Sequence, residues 1–126
     1  MSISDLKNKL SDLAFKVTQE RNTEPPFSGE YNNLYAEGKY ACVCCDSLLF
    51  SSKHKFNSKS GWPSFYQPLN EDCLKYIEDN SHNMVRVEVC CKKCNSHLGH
   101  VFNDGPKPTF KRYCINSVSM RFIKNE

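Results

Sequence analysis

A cysteine at position 114 stands between Arg112 and Asn116, each two residues away. In an extended strand these three side chains fall on one face. A nearby cation lowers a thiol's pKa towards the reactive thiolate, so the triplet has the make-up of a nucleophile's setting. The plain alternative is one more buried thiol, because free Cys packs as a small hydrophobe. The run from Lys111 to Phe122 reads as one strand, with Val118, Met120 and Phe122 carrying the same face onward into the core.

Four other cysteines have the spacing of metal ligands. Cys42-x-x-Cys45 and Cys91-x-x-Cys94 are two matched pairs, the usual way a chain presents four thiolates tetrahedrally to zinc. The pairs lie farther apart than the ~15–20 residues of a compact zinc ribbon, so the metal would clip distant strands together. Such a site is closed and structural. A redox C-x-x-C pair and scattered core thiols are the rival readings. Cys44 and Cys90 adjoin the proposed ligands, which leaves the register open. His97 and His100 lie just beyond Cys94. They suit a metal, the surface, or the protonation and orientation of a reacting oxygen near neutral pH. Trp62, the only tryptophan, sits in Gly61-Trp62-Pro63-Ser64-Phe65. It is either a core residue or the rigid apolar wall of a small pocket.

The elements that must position these groups are mainly β. Ile3, Leu6, Leu10, Leu13, Ala14 and Val17 recur at helical spacing behind Ser2 and Asp5 in capping-box positions. This predicts one amphipathic helix from about 4 to 20. Pro25-Pro26 ends it. Beyond lie short β-rich stretches around Tyr40 to Phe50 and at Phe65 to Tyr66. Val85, Val87 and Val89 alternate with Arg86 and Glu88, the pattern of a strand with one buried face. The turn-rich Asn103 to Pro108 precedes the Cys114 strand. With 126 residues the chain suits a single domain over 1–126, with a helical extension at 1–22. A charge of +3, from 17 Lys and Arg against 14 Asp and Glu, gives little support to a nucleic-acid partner. No apolar run approaches the ~20 residues of a membrane span, and acidic residues interrupt any leader near the start. The expected setting is a reducing cytoplasm, where eight cysteines serve metal or chemistry more readily than disulfides.

Together these stretches resemble the B-type methionine sulfoxide reductases, enzymes specific for the R epimer at sulfur. The resemblance runs from about Thr23 to Phe122. It comprises, in order, Thr-Glu-Pro-Pro-Phe-Ser-Gly-Glu-Tyr, Cys42-x-x-Cys45, Gly-Trp-Pro-Ser-Phe and Met84-x-Arg86-x-Glu88. It continues through Cys91-x-x-Cys94-x-x-His97-Leu-Gly-His100-Val-Phe-x-Asp-Gly-Pro to Arg112-Tyr-Cys-Ile-Asn116. The resemblance implies a fold of two small antiparallel sheets with an N-terminal helix, clipped by a structural zinc on Cys42, Cys45, Cys91 and Cys94. It implies that Cys114 attacks the sulfoxide sulfur and is left as a sulfenic acid when methionine departs, with Arg112 favouring the thiolate. His100 and Asn116 would bind and polarise the sulfoxide oxygen, supported by His97 and Asp104. Trp62 would pack on the substrate's methyl group. The implied partners are methionine R-sulfoxide, free or in proteins, and thioredoxin or a small thiol as reductant, acting on a monomer.

Two positions depart from the pattern. Ser60 stands where many members carry the cysteine that resolves the sulfenic acid, and a hydroxyl cannot replace a thiol in that exchange. Either an external thiol reduces Cys114 directly or another cysteine resolves it, Cys73 being the first candidate; its plain reading is an ordinary thiol. Phe110 replaces a glycine expected before Arg112. The competing functional class is a zinc-stabilised binding module without catalysis. Zinc content does not separate the two readings, whereas the set of Arg112, Cys114, Asn116, His97 and His100 does.

Overall fold

The computed structural model describes residues 2–125, so the terminal residue at each end of the expected 1–126 domain lies outside the described residues. The stretch expected as one helix is two, α1 (Ile3–Lys9) and α2 (Asp12–Glu20). Ser2 and Asp5 form the capping box that opens α1. The break comes from Ser11, which adopts extended backbone and accepts the Ala14 N–H on its hydroxyl, starting a second helix. Leu6, Leu10, Ala14 and Val17 are buried, while Ile3 and Leu13 drop out of the expected stripe and are exposed.

Two antiparallel sheets follow, in keeping with the mainly β reading and as the resemblance implied. The smaller joins β1 (Gly38–Cys42), β2 (Leu48–Ser51) and β9 (Met120–Lys124) in the order β2-β1-β9. The larger contains β3 (Lys55–Phe56), β4 (Ser64–Phe65), β5 (Leu74–Asp79), β6 (Arg86–Cys91), β7 (His97–Phe102) and β8 (Arg112–Ile115). Its order is β3-β4-β8-β7-β6-β5. Residues of both sheets share one core, in which Phe50 stacks on Phe65 at 4.4 Å and Tyr40 meets Phe65 edge-on at 5.2 Å.

Two expectations about strands are corrected. Lys111 to Phe122 is not one strand: β8 and β9 belong to different sheets, separated by a 3-10 turn at Ser117–Ser119. Asn116 and Ser119 divert the chain by bonding backbone carbonyls at the start of β7, Nδ2 to Leu98 O and Oγ to His97 O. Only the Arg112, Cys114 and Asn116 half of the expected face survives. On β6 and just before it the polarity is reversed at one end. Val85 and Val87 are exposed and Glu88 is 1% exposed, with only Val89 buried as expected. Glu88 is drawn inward because it ion-pairs with Arg21 at the end of α2 and with His97. No helix among the described residues is long and apolar enough to cross a membrane.

Candidate active site and metal cluster

Sheet register lines up the reactive groups. Ile77, Glu88, His100, Cys114 and Ser64 are successive cross-strand partners on β5, β6, β7, β8 and β4. Cross-strand partners share a face, so these side chains form one row, and Asp79, Arg86, Phe102 and Arg112 lie two residues further along the same face. Gly99 lets β7 approach β8 closely, since a Cβ there would lie 2.0 Å from the Cys114 carbonyl oxygen. Over the rows opens a cleft of about 300 Å³. Cys114, His100, Arg112 and Asn116 form its floor, with Trp62 and Phe102 as apolar walls and Ser60, Thr23 and Arg86 at its margins.

Arg112 acts on the Cys114 thiol in the expected, lowering direction, but burial is the larger effect. Burial pushes the thiol up, and the Ser60 hydroxyl 4.0 Å away and the Arg112 guanidinium only partly offset it. Arg112 is engaged elsewhere: it donates to both Asp104 oxygens at 3.0 and 3.3 Å and lies over the Phe102 ring at 4.4 Å. Asp104 is exposed and reaches the cleft only through Arg112.

His97 and His100 each face a carboxylate. His100 Nε2 lies 2.8 Å from Asp79 Oδ2, and His97 Nδ1 lies 2.7 Å from Glu88 Oε2. Burial holds both imidazoles below their ordinary pKa, against the pull of those carboxylates. The His100 contact, with help from Ser81, holds Asp79 well below the carboxylate range. Burial opposes ionisation of Glu88, but hydrogen bonds from His97 and Cys90 outweigh it and the carboxyl lies below its usual range. His97 does not line the Cys114 cleft. It lines an adjoining cavity of about 250 Å³ that shares Thr23, Arg86 and His100 with the cleft. There its buried Nε2 has no partner among the described residues.

Sequence reasoning missed Glu24, which is 1% exposed. Its N–H donates to Asn116 Oδ1 at 2.9 Å, and its carbonyl accepts the Trp62 indole N–H at 3.0 Å. Its carboxyl accepts the Val118 N–H at 3.0 Å. One residue thus ties the cleft's wall to its floor. The signal was Pro25-Pro26, read as a helix stop when it also stiffens a strap. Asn116 therefore lines the cleft with its amide largely committed, Oδ1 to Glu24 and Nδ2 to Leu98. Gly61, at φ +97°, turns the chain into Trp62 while its carbonyl accepts the Phe27 N–H at 2.7 Å. Arg86 and Asp79 were also unassigned from the sequence: Arg86 reaches the cleft from β6, and Asp79, on β5, lines the adjoining cavity and meets His100 there.

Cys73 lies apart from Cys114. It directly precedes β5, three strand spacings or about 14 Å from β8, whereas a disulfide needs Cα atoms within ~7 Å. Its thiol is buried against the carbonyls of Asn70 and Leu49, at 3.1 and 3.6 Å. Phe110 takes the left-handed conformation that glycine favours, φ +60°, in a turn where its N–H donates to the Pro106 carbonyl at 2.8 Å and its carbonyl accepts the Gly105 N–H at 3.0 Å.

The sulfurs of Cys42, Cys45, Cys91 and Cys94 all lie within 4.8 Å of one another. Two of the separations are 3.6 and 3.5 Å. A tetrahedron with the usual ~2.3 Å Zn–S bond has an S···S edge of about 3.8 Å, so the four thiols have the size of a metal site. Both knuckles are built alike. The Asp46 and Asn95 N–H groups bond the Cys42 and Cys91 carbonyls at 2.9 and 2.8 Å, and both residues are left-handed at φ +63°. The register left open by Cys44 and Cys90 is thereby decided, since neither joins the cluster.

The family model for the SelR domain matches residues 10–124, which takes in the whole cleft and all four clustered cysteines. The chain belongs to the SelR family. Among SelR relatives, the peptide methionine sulfoxide reductase MsrB of Thioalkalivibrio sulfidiphilus is 56% identical over 117 residues, 93% of this chain and 85% of that protein. The protein of the same name from Escherichia coli O45:K1 is 51% identical over 125 residues, 99% of this chain and 91% of that one. The SelR match also covers Ser60 and Phe110, the two positions that depart from the expected pattern.

Proposed function

We propose that this protein reduces methionine R-sulfoxide, free or in proteins, to methionine, with Cys114 as the nucleophile. The observation that carries the reading is a single thiol at the floor of a cleft that sets apolar walls, Trp62 and Phe102, against a polar row. A thioether methyl fits the first and a sulfoxide oxygen the second, so the two sulfur epimers are told apart by which substituent meets which side. Cys114 attacks the sulfoxide sulfur, the oxygen passes to the cysteine sulfur, and methionine leaves: Cys–SH and R2S=O become Cys–S–OH and R2S. His100 serves the oxygen, Arg112 favours the negative sulfur as it forms, and Asn116 and Glu24 hold the wall and floor in register. His97 and Asp104 act behind His100 and Arg112.

Regeneration requires a thiol from outside. The hydroxyl of Ser60 occupies the place next to Cys114, and Cys73 lies three strands away. Thioredoxin or a small thiol attacks the sulfenic sulfur, water leaves, and a second thiol clears the mixed disulfide. The four clustered cysteines hold a structural zinc, which ties the sheets together and has no role in the reaction. The chain works as a single-domain monomer, with its helices as an extension of that domain, in a reducing cytoplasm. The binding-module alternative has no use for this cleft.

The test combines Cys114→Ser with intact-mass analysis. The variant should lose turnover at least ~1,000-fold while keeping its metal and melting temperature, since the covalent route has no substitute nucleophile. One equivalent of methionine R-sulfoxide without reductant should add one oxygen to Cys114 in the parent. Appreciable turnover by the variant, or loss of two hydrogens through a Cys114–Cys73 disulfide, would contradict the reading.

A further inference from the structure

We propose that Asp79 is a positioning residue, which decides the nitrogen that His100 presents to the sulfoxide oxygen. The proposal rests on the reductase reading above and adds a residue to it. Asp79 ends the edge strand β5, and both carboxylate oxygens are held. Oδ1 accepts the Ser81 N–H at 2.9 Å; Oδ2 meets His100 Nε2 at 2.8 Å and Arg86 Nη2 at 3.4 Å. A carboxylate so anchored cannot follow the ring, so the ring must conform to it. An ionised carboxylate only accepts, and a nitrogen 2.8 Å from it therefore carries the hydrogen. In the neutral ring Nδ1 is left as a bare acceptor.

This tautomer suits one proton path. Cys114 is the direct cross-strand partner of His100, and its thiol proton passes to Nδ1 as the sulfur attacks. The imidazolium, facing Asp79, then gives that proton to the oxygen arriving on the cysteine sulfur. The proton lost by the thiol is the one gained by the sulfenic acid, and no outside acid is consumed. Around His100 stand Asp79 from β5, Arg86 and Glu88 from β6, His97 on its own strand, and Cys114 and Arg112 from β8. Arg21 and Glu24 face the same region from the end of α2 and the strap. Asp79 alone among them bonds the His100 ring.

The decisive experiment compares the pH dependence of kcat/KM for methionine R-sulfoxide in the parent, Asp79→Asn, His100→Asn and the double variant. Asp79→Asn should lower the plateau ~10-fold or more while metal content and melting temperature hold. Its acid limb should move down by about one pH unit, because a ring without its carboxylate protonates less readily and stays able to accept the thiol proton in more acid solution. In the His100→Asn background the same change should cost less than twofold. Nitrogen-15 NMR of the parent should find His100 protonated at Nε2 in its neutral form, a readout that needs no Asp79 variant. An unmoved acid limb, additive losses in the double variant, or a hydrogen on Nδ1 would overturn the assignment. A parent without reductase activity would instead defeat the reading beneath it.

Discussion

Cys114, the proposed nucleophile, sits in an unhelpful resting environment. Burial raises its pKa, and the neighbouring cation that looked able to lower it is bound to Asp104. In the proposed reaction the thiol therefore gives up its proton as it attacks, in keeping with a resting pKa raised by burial. Alkylation of Cys114, followed by peptide mass, should rise with a midpoint above the ~8.5 of a free thiol. Ser60→Ala should push that midpoint further up and slow alkylation at pH 7, because the hydroxyl 4.0 Å away is the first group opposing burial. A midpoint below that of a free thiol would show that Arg112 prevails after all.

At the scale of elements, the strap carrying Glu24 matters as much as the strands. Glu24 is buried with one carboxyl oxygen unpartnered among the described residues, and burial raises its pKa. A carboxyl whose folded pKa lies above its unfolded value costs stability as pH rises past the unfolded value of ~4.3. Glu24→Gln keeps an acceptor for the Val118 N–H and removes the charge. It should match the parent at pH 4 and melt several degrees higher at pH 7, a gain of about 1 kcal/mol. Equal melting at both pH values would mean that the carboxyl is solvated. Elements also mark where pattern reading stopped. Ser11 broke one apolar period into two helices by capping. Asn116 and Ser119 broke one strand between two sheets by bonding backbone carbonyls. In both places a short polar side chain competes with the backbone's own ladder, and hydrophobic periodicity does not register that competition.

The whole molecule is two sheets joined at one end by cysteines. Cys42 and Cys45 lie at the turn between β1 and β2, and Cys91 and Cys94 at the turn between β6 and β7, so a metal on all four binds one sheet to the other. The Cys114 cleft depends on that union, because the strap and the Ser117–Ser119 turn span both sheets. Cys45→Ser should lose the metal and about 3 kcal/mol or more of stability, a fall of roughly 10 °C or more in melting temperature. A metal-free variant melting like the parent would refute the clip.

From the sequence alone came the mainly β class, the two cysteine pairs, and Cys114 between Arg112 and Asn116, which follow from local spacing and residue chemistry that a chain carries in any conformation; that His100 and Trp62 stand with Cys114 came from the family resemblance. Only the tertiary structure decided the rest: which cysteines converge, that Asp104 occupies Arg112, that Glu88 turns inward, that Asp79 meets His100, that Glu24 ties Trp62 to Asn116, and that Cys73 lies three strands from Cys114. Each of these depends on register across strands distant in sequence and on the burial it creates. Solvent exclusion and the partner across the sheet set a group's charge and reach, and neither is a property of its neighbours along the chain.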